Sequence, residues 1–276
     1  METRNLFMDA ILYSYALSLL FYFSDFAYAN RSAKRVGTGL LAFVWVLQGV
    51  YFAYGMFQRS NGVSVTLFES LFLFSWLLVT LSLVTRRFFR IEMFVFFVNV
   101  VGFIAVVLHM FNTGDDTGVA HRWGMSESLL FVHVALAVCS YAAFCISAIF
   151  SGMYLYLHRS LKDKAWSARM QRLPSLDKTD RYANAAILAG APLLLMSLSL
   201  GLFWVWKQSD ISLLTDAKVI SSFFALGAYV FYLVLRQVVK LPGNRLALWN
   251  VLAFVIVVLN FVVTNVWSGF HHGLRM

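Results

Sequence analysis

A chain of 276 residues that is 61% apolar and 17% aromatic, with only 13% charged residues, has far more hydrophobic surface than one soluble core needs. Lipid must solvate part of it, which excludes an ordinary soluble globular domain. The formal net charge of +9 raises nucleic acid as a partner. However, the basic residues sit in loops beside apolar runs, where membrane topology and anionic lipid account for them.

A bilayer-crossing helix takes about 20 apolar residues, because the hydrocarbon is roughly 30 Å thick and a helix rises about 1.5 Å per residue. Eight such runs follow one another: Phe7–Tyr28, Gly37–Phe57, Val65–Val84, Met93–Phe111, Ser128–Leu157, Ala183–Trp206, Val219–Leu235 and Leu246–Trp267. Strands of a membrane barrel would alternate over about ten residues, whereas these runs are continuous. The expected architecture is all-α, one polytopic membrane bundle of about eight transmembrane helices over residues 1–276, with no soluble domain. The first run lacks the basic region and small-residue cleavage site of a signal peptide, so it reads as a retained span.

Basic residues between the runs set the orientation, because they are kept on the cytoplasmic side. Arg31, Lys34 and Arg35 follow the first run, Arg86, Arg87 and Arg90 the third, seven residues from Arg159 to Arg181 the fifth, and Arg236, Lys240 and Arg245 the seventh. The opposite face has only Arg4, Arg59, Arg122, Lys207, Lys218 and Arg275. Both termini are therefore expected outside, with loop Asn112–Ser126. The basic loop His158–Tyr182, in which Trp166, Met170 and Leu173 interleave with Lys164, Arg169 and Arg172, is expected to lie on the inner leaflet. Single cysteines at Thr117 and Met276 should react with an impermeant thiol reagent in intact cells. Labelling that needs access from the inside would reverse the topology.

Histidine is the informative residue, since a ring nitrogen can bind a metal and a polar ring in hydrocarbon needs a partner. His158 falls on the inner side, while His109, His121, His133, His271 and His272 all lie at or near the outer end of a span. His133 sits roughly 8 Å inside the fifth. Two readings fit. Imidazoles from two helices at similar depth, His133 with His271 or His272, could supply both axial ligands of a non-covalently held haem b. Alternatively, His133 hydrogen-bonds a neighbouring helix and the C-terminal pair is merely interfacial. Glu69 and Asp25 read as structural carboxylates, and Trp204 and Trp206 as interfacial tryptophans. Cys139 and Cys145 lie about 9 Å apart along one helix and cannot readily pair. No CxxC motif supports a redox carrier or covalent haem attachment.

Four segments resemble the CcsA-type cytochrome c assembly family, and within it the HemX branch of Gram-positive bacteria: FESLFLFSW (Phe68–Trp76), HVALAVCSYAAF (His133–Phe144), GAPLLLMSLSLGLFW (Gly190–Trp204) and GFHHGL (Gly269–Leu274). The resemblance implies His133 and His271 as axial ligands of haem iron at the outer face, with His272 and His109 as weaker candidates. Two departures separate the chain from the haem lyases of that family. In Trp204–Ile220 only Trp204, Asp216 and Lys218 match the lyases' tryptophan-rich segment, and in Tyr232–Arg236 Val234 stands where they have a further histidine.

The resemblance therefore implies a non-catalytic haem-binding protein of the bacterial cytoplasmic membrane that regulates or handles haem. It further implies a lowering effect on the level of glutamyl-tRNA reductase, so that enzyme or another haem-synthesis protein is the expected partner besides lipid and haem. A haem lyase acting with a second membrane protein is the first alternative, and a haem or small-molecule transporter the second. Only Gly190 and Pro192 break a span, and no paired break favours the transporter.

Overall fold

The computed structural model describes residues 2–28, 30–58, 67–88, 92–111, 127–164, 173–208 and 217–266. They form eight helices: α1 (Glu2–Tyr28), α2 (Arg31–Gln58), α3 (Leu67–Phe88), α4 (Glu92–Phe111), α5 (Glu127–Lys162), α6 (Leu176–Gln208), α7 (Ala217–Gln237) and α8 (Gly243–Val266). Among the described residues there is no strand. Seven of the helices are long and apolar enough to cross a membrane, and in α3 the apolar part is the shorter Ser70–Arg86. The protein is an all-helical, multi-pass membrane protein.

Several helices run past the apolar runs. The carboxamide of Asn30 accepts from the backbone N–H of Ser32 and of Ala33, at 3.0 and 3.2 Å. That cap starts α2 at Arg31 and turns Arg31, Lys34 and Arg35 from loop residues into first-turn residues. The segment expected as the loop His158–Tyr182 is likewise helical at both ends. α5 continues to Lys162 with an Arg159–Asp163 pair on its last turn, and α6 starts at Leu176 with an Asp177–Arg181 pair on its first. These ends carry exposed ion pairs rather than apolar side chains, so the apolar run does not bound the helix. Residues 165–172, with Trp166 and Met170, lie outside the described residues.

By contacts the chain divides into two compact units, Met1–Arg122 and Trp123–Met276. In the first, α1 packs on α2 and α4, and α3 on α4 and α2. The buried stripe of α1 is Met8, Ile11, Tyr15, Ser18, Tyr22 and Asp25, at alternating spacings of three and four, while Leu17, Leu20 and Phe23 face outward. The inward stripe is the more polar one, as expected where lipid is as apolar as leucine and helices gain from hydrogen bonds across their contacts. Tyr15 donates to Asn99 Oδ1 at 3.1 Å, and the Asn99 amide donates to Ser82 Oγ at 2.9 Å. Gln48 donates to Ser75 Oγ at 3.1 Å. All five residues are fully buried. Gly102 makes room for this network, since a Cβ there would lie 2.5 Å from the Tyr15 hydroxyl.

In the second unit α5 packs on α6 and α8, and α7 on α8 and α6. Phe144, Ile187, Leu194, Tyr229, Ala253 and Val257 form its core. The Phe144 and Tyr229 rings stack nearly parallel, with centroids 3.6 Å apart. A polar tie crosses three helices beside them: Asn250 donates to Ser147 Oγ and Ser151 Oγ at 2.6 and 2.7 Å, and Ser147 donates to the Ala183 carbonyl at 2.8 Å. Between α7 and α8, Lys240 adopts the left-handed region (φ 55°), which reverses the chain in a few residues.

Candidate functional site

His133 lies in the second turn of α5, half-buried against α6. Its Nδ1 is 2.8 Å from the Ser197 backbone carbonyl. A carbonyl can only accept, so Nδ1 carries the proton. That assigns the neutral tautomer in which the ring's lone pair is on Nε2. Ser197 Oγ lies 3.2 Å from the same Nδ1 and donates to the His133 carbonyl at 2.9 Å, so one serine grips both ends of the histidine. One turn further along α6, Gly201 leaves the space the ring occupies. A Cβ at that position would be 3.2 Å from His133 Cε1 and 3.6 Å from Nδ1. The bond to a neighbouring helix that a purely structural histidine would make is therefore present. It uses the nitrogen that also orients an imidazole acting as a metal ligand through the other.

The remaining sequence candidates are not brought together with His133 by anything in the described structure. His271 and His272, like His121, lie outside the described residues. His109 belongs to the first unit, near the end of α4, where it is buried against Phe72 with ring centroids 5.3 Å apart. His158 lies on the last part of α5, stacked on Tyr154. Glu69 falls in the first turn of α3 and Asp25 is buried on α1. Cys139 and Cys145 are both free thiols. Trp204 is buried and Trp206 is 79% exposed, so only the second has the accessible position expected of an interfacial tryptophan. Val234, where a lyase would have its further histidine, is on the exposed face of α7, turned away from the core of its unit. Among the described residues no three of His, Cys, Asp and Glu gather as a protein-only metal centre would need.

Sequence reasoning missed Ser197, Gly201 and Asp180, and the pairing of Arg236. Ser197 and Gly201 hold His133, and Asp180 pairs with Arg236 across α6 and α7. The spacing of Ser197 and Gly201, four apart on one face of α6, was a usable signal once α5 and α6 were known to pair.

The family described as Cytochrome C assembly protein matches residues 64–272 of the chain. Protein HemX of Bacillus subtilis (strain 168) is 38% identical over 257 residues, 93% of each chain. Protein HemX of Brevibacillus brevis is 41% identical over 254 residues, 92% of this chain and 93% of its own. No solved structure matches.

Proposed function

Because the chain belongs to the Cytochrome C assembly protein family, we propose that it is a non-catalytic haem-binding protein of the bacterial cytoplasmic membrane. His133 and His271 would hold haem b at the outer face without a covalent link. The observation that carries this reading is the His133 Nδ1–H bond to the Ser197 carbonyl. Haem iron takes a neutral imidazole through one nitrogen, and a fixed acceptor on the other nitrogen sets the tautomer, holds the ring plane and raises ligand basicity. His133 as held here therefore suits one ligand position of the group. When bound, haem supplies an iron whose ligation is read directly in its visible spectrum.

The chain's own residues do the rest. Ser197 holds the proton on Nδ1 and anchors the His133 backbone, while Gly201 gives the ring its clearance. His271 supplies the second ligand, and His272 can replace it; His109 is the next residue to consider. Val234 on an outward face, and the few aromatic residues in Trp204–Ile220, support handling or regulation over lyase chemistry, which needs aromatic surface to present a porphyrin. In the cell we propose that the protein lowers the level of glutamyl-tRNA reductase, acting on it or on another haem-synthesis protein. A deletion strain with raised reductase and intact c-type cytochromes supports that role. Loss of haem from those cytochromes favours the lyase reading.

The direct test is the absorption spectrum of the protein purified in detergent from haem-replete cells, followed by pyridine extraction. A low-spin six-coordinate spectrum and extractable haem b are expected. A protein that purifies without porphyrin and takes up none on titration rejects the reading. Gly201→Ala should crowd the ring by a few tenths of an ångström and lower haem occupancy, because the Cβ enters the 3.2 Å space beside Cε1.

A further inference from the structure

Helix α6 carries a distinct side-chain contact near each end, while Ser147 of α5 also holds it at the Ala183 carbonyl. Near one end Ser197 and Gly201 seat His133 of α5. Near the other, Asp180 receives Arg236 of α7 through two parallel bonds, Nη1 to Oδ1 at 2.9 Å and Nη2 to Oδ2 at 2.6 Å. The two side chains are only 19% and 25% exposed, and Arg236 also donates to the Tyr232 hydroxyl at 3.3 Å. About 25 Å of helix rise separates Asp180 from Ser197.

The stretch between them is built to bend and to be felt. Pro192 stands inside α6 and has no N–H to give the Leu188 carbonyl, so one rung of the helix is missing there. Gly190, two residues before it, is pressed on α5, since a Cβ would meet Phe144 Cε1 at 2.8 Å. The Phe144 ring in turn lies flat on Tyr229 of α7. Tyr229, Tyr232 and Arg236 follow one another at spacings of three and four, so they share one face of α7. A closed circuit of contacts thus runs from His133 along α6 to Gly190, across Phe144 to Tyr229, down α7 to Arg236 and back to Asp180, all within the second unit.

We propose that the Asp180–Arg236 pair is a latch coupled to ligation at His133, so that haem at one end of α6 and the closed ion pair at the other stabilise the same arrangement of the helix. The proposal rests on the haem reading above. Both contacts are made at once in this structure, so they are mutually compatible. Opening the pair leaves a poorly solvated carboxylate without its partner and frees the part of α6 before Pro192 from α7, while Ser147 of α5 still holds it at the Ala183 carbonyl. The arrangement that seats His133 is then less populated, and haem affinity falls by that fraction. Linkage is reciprocal, so haem tightens the latch by the same factor.

Haem titration of the purified full-length chain tests this, comparing the wild type with Asp180→Asn, Arg236→Gln and the charge swap Asp180→Arg with Arg236→Asp. Coupling between sites commonly amounts to a factor of roughly 5–150. Here the single variants should bind haem about 5- to 50-fold more weakly and the swap should recover most of the loss. Arg181→Gln, which removes an exposed pair with Asp177, should change nothing. Spin labels at the exposed Lys178 and Val239, in a chain whose Cys139 and Cys145 are replaced, give a reading that does not depend on a mutated latch. Their distance distribution should narrow on addition of haem. Unchanged affinity in the single variants, or a distance indifferent to haem, overturns the latch while the haem site stands. A wild type that binds no haem overturns the haem reading itself and the latch with it.

Discussion

His133→Ala should abolish the low-spin haem spectrum, leaving either an empty protein or a five-coordinate iron. The change removes a candidate ligand whose ring is held by two contacts from a neighbouring helix, the Ser197 carbonyl at 2.8 Å and the Ser197 hydroxyl at 3.2 Å. His271→Ala should act similarly unless His272 takes over. Adjacent residues of a helix diverge by about 100°, but a chain end can turn. The double change at His271 and His272 closes that route. His158→Ala is the control, because that ring is stacked on Tyr154 on the last part of α5. Retention of a low-spin spectrum at full occupancy in His133→Ala would remove His133 from the site and direct the next substitution to His109. Ser197→Ala separates positioning from ligation. It keeps the backbone acceptor and deletes the hydroxyl, so binding should weaken without the change of spin state that loss of a ligand produces.

The second large effect concerns packing and is measurable without haem. Gly190→Ala should destabilise the second unit by about 1–3 kcal/mol, the usual cost of forcing a methyl group into a filled core. The added Cβ would meet Phe144 Cε1 at 2.8 Å and Cδ1 at 3.0 Å, and the Ala143 methyl at 3.1 Å. Phe144 cannot retreat, because its other face is already stacked on Tyr229 at 3.6 Å with only 7° between the planes. Thermal unfolding in detergent should show the loss. Phe144→Leu on its own forfeits the ring stacking, but combined with Gly190→Ala it relieves the clash, so the two changes should cost less together than the sum of their separate effects. Strict additivity would mean that α6 does not approach α5 as closely as the geometry shows. The same closeness is what lets Ser197 reach His133, so a helix pair pushed apart at Gly190 should also bind haem less well.

The helices and the membrane character were legible in the sequence because a span is a local property. About 20 apolar residues must satisfy their own backbone in hydrocarbon, and only a helix does that within one segment. The family was legible in the four segments that resemble it, and it is borne out by the match over residues 64–272 and by the two HemX relatives. Helix ends were not legible from hydropathy, since the Asn30 cap and the i,i+4 pairs at Arg159 and Arg181 act in water beyond the apolar runs.

For the candidate site the sequence singled out the pair His133 and His271, from position and from the resemblance, and of these His133 lies within the described residues. The sequence could not single out Ser197, Gly201 or the Asp180–Arg236 pair. An interhelical contact depends on which helices are neighbours, how each is rotated about its axis and how far it slides along its partner, and an almost uniformly apolar run constrains none of these. The same run can turn any face to lipid at nearly the same free energy. Tertiary packing makes the choice through a few small and polar residues: Gly190 admits Phe144, Gly201 admits the His133 ring, and Ser147, Ser151 and Asn250 close a tie across three helices. The sequence by itself thus determined that this chain crosses a membrane as helices, to which family it belongs and which histidines to examine. Only the tertiary structure decided which nitrogen of His133 keeps its proton, because the acceptor that holds it is a backbone carbonyl 64 positions away on another helix.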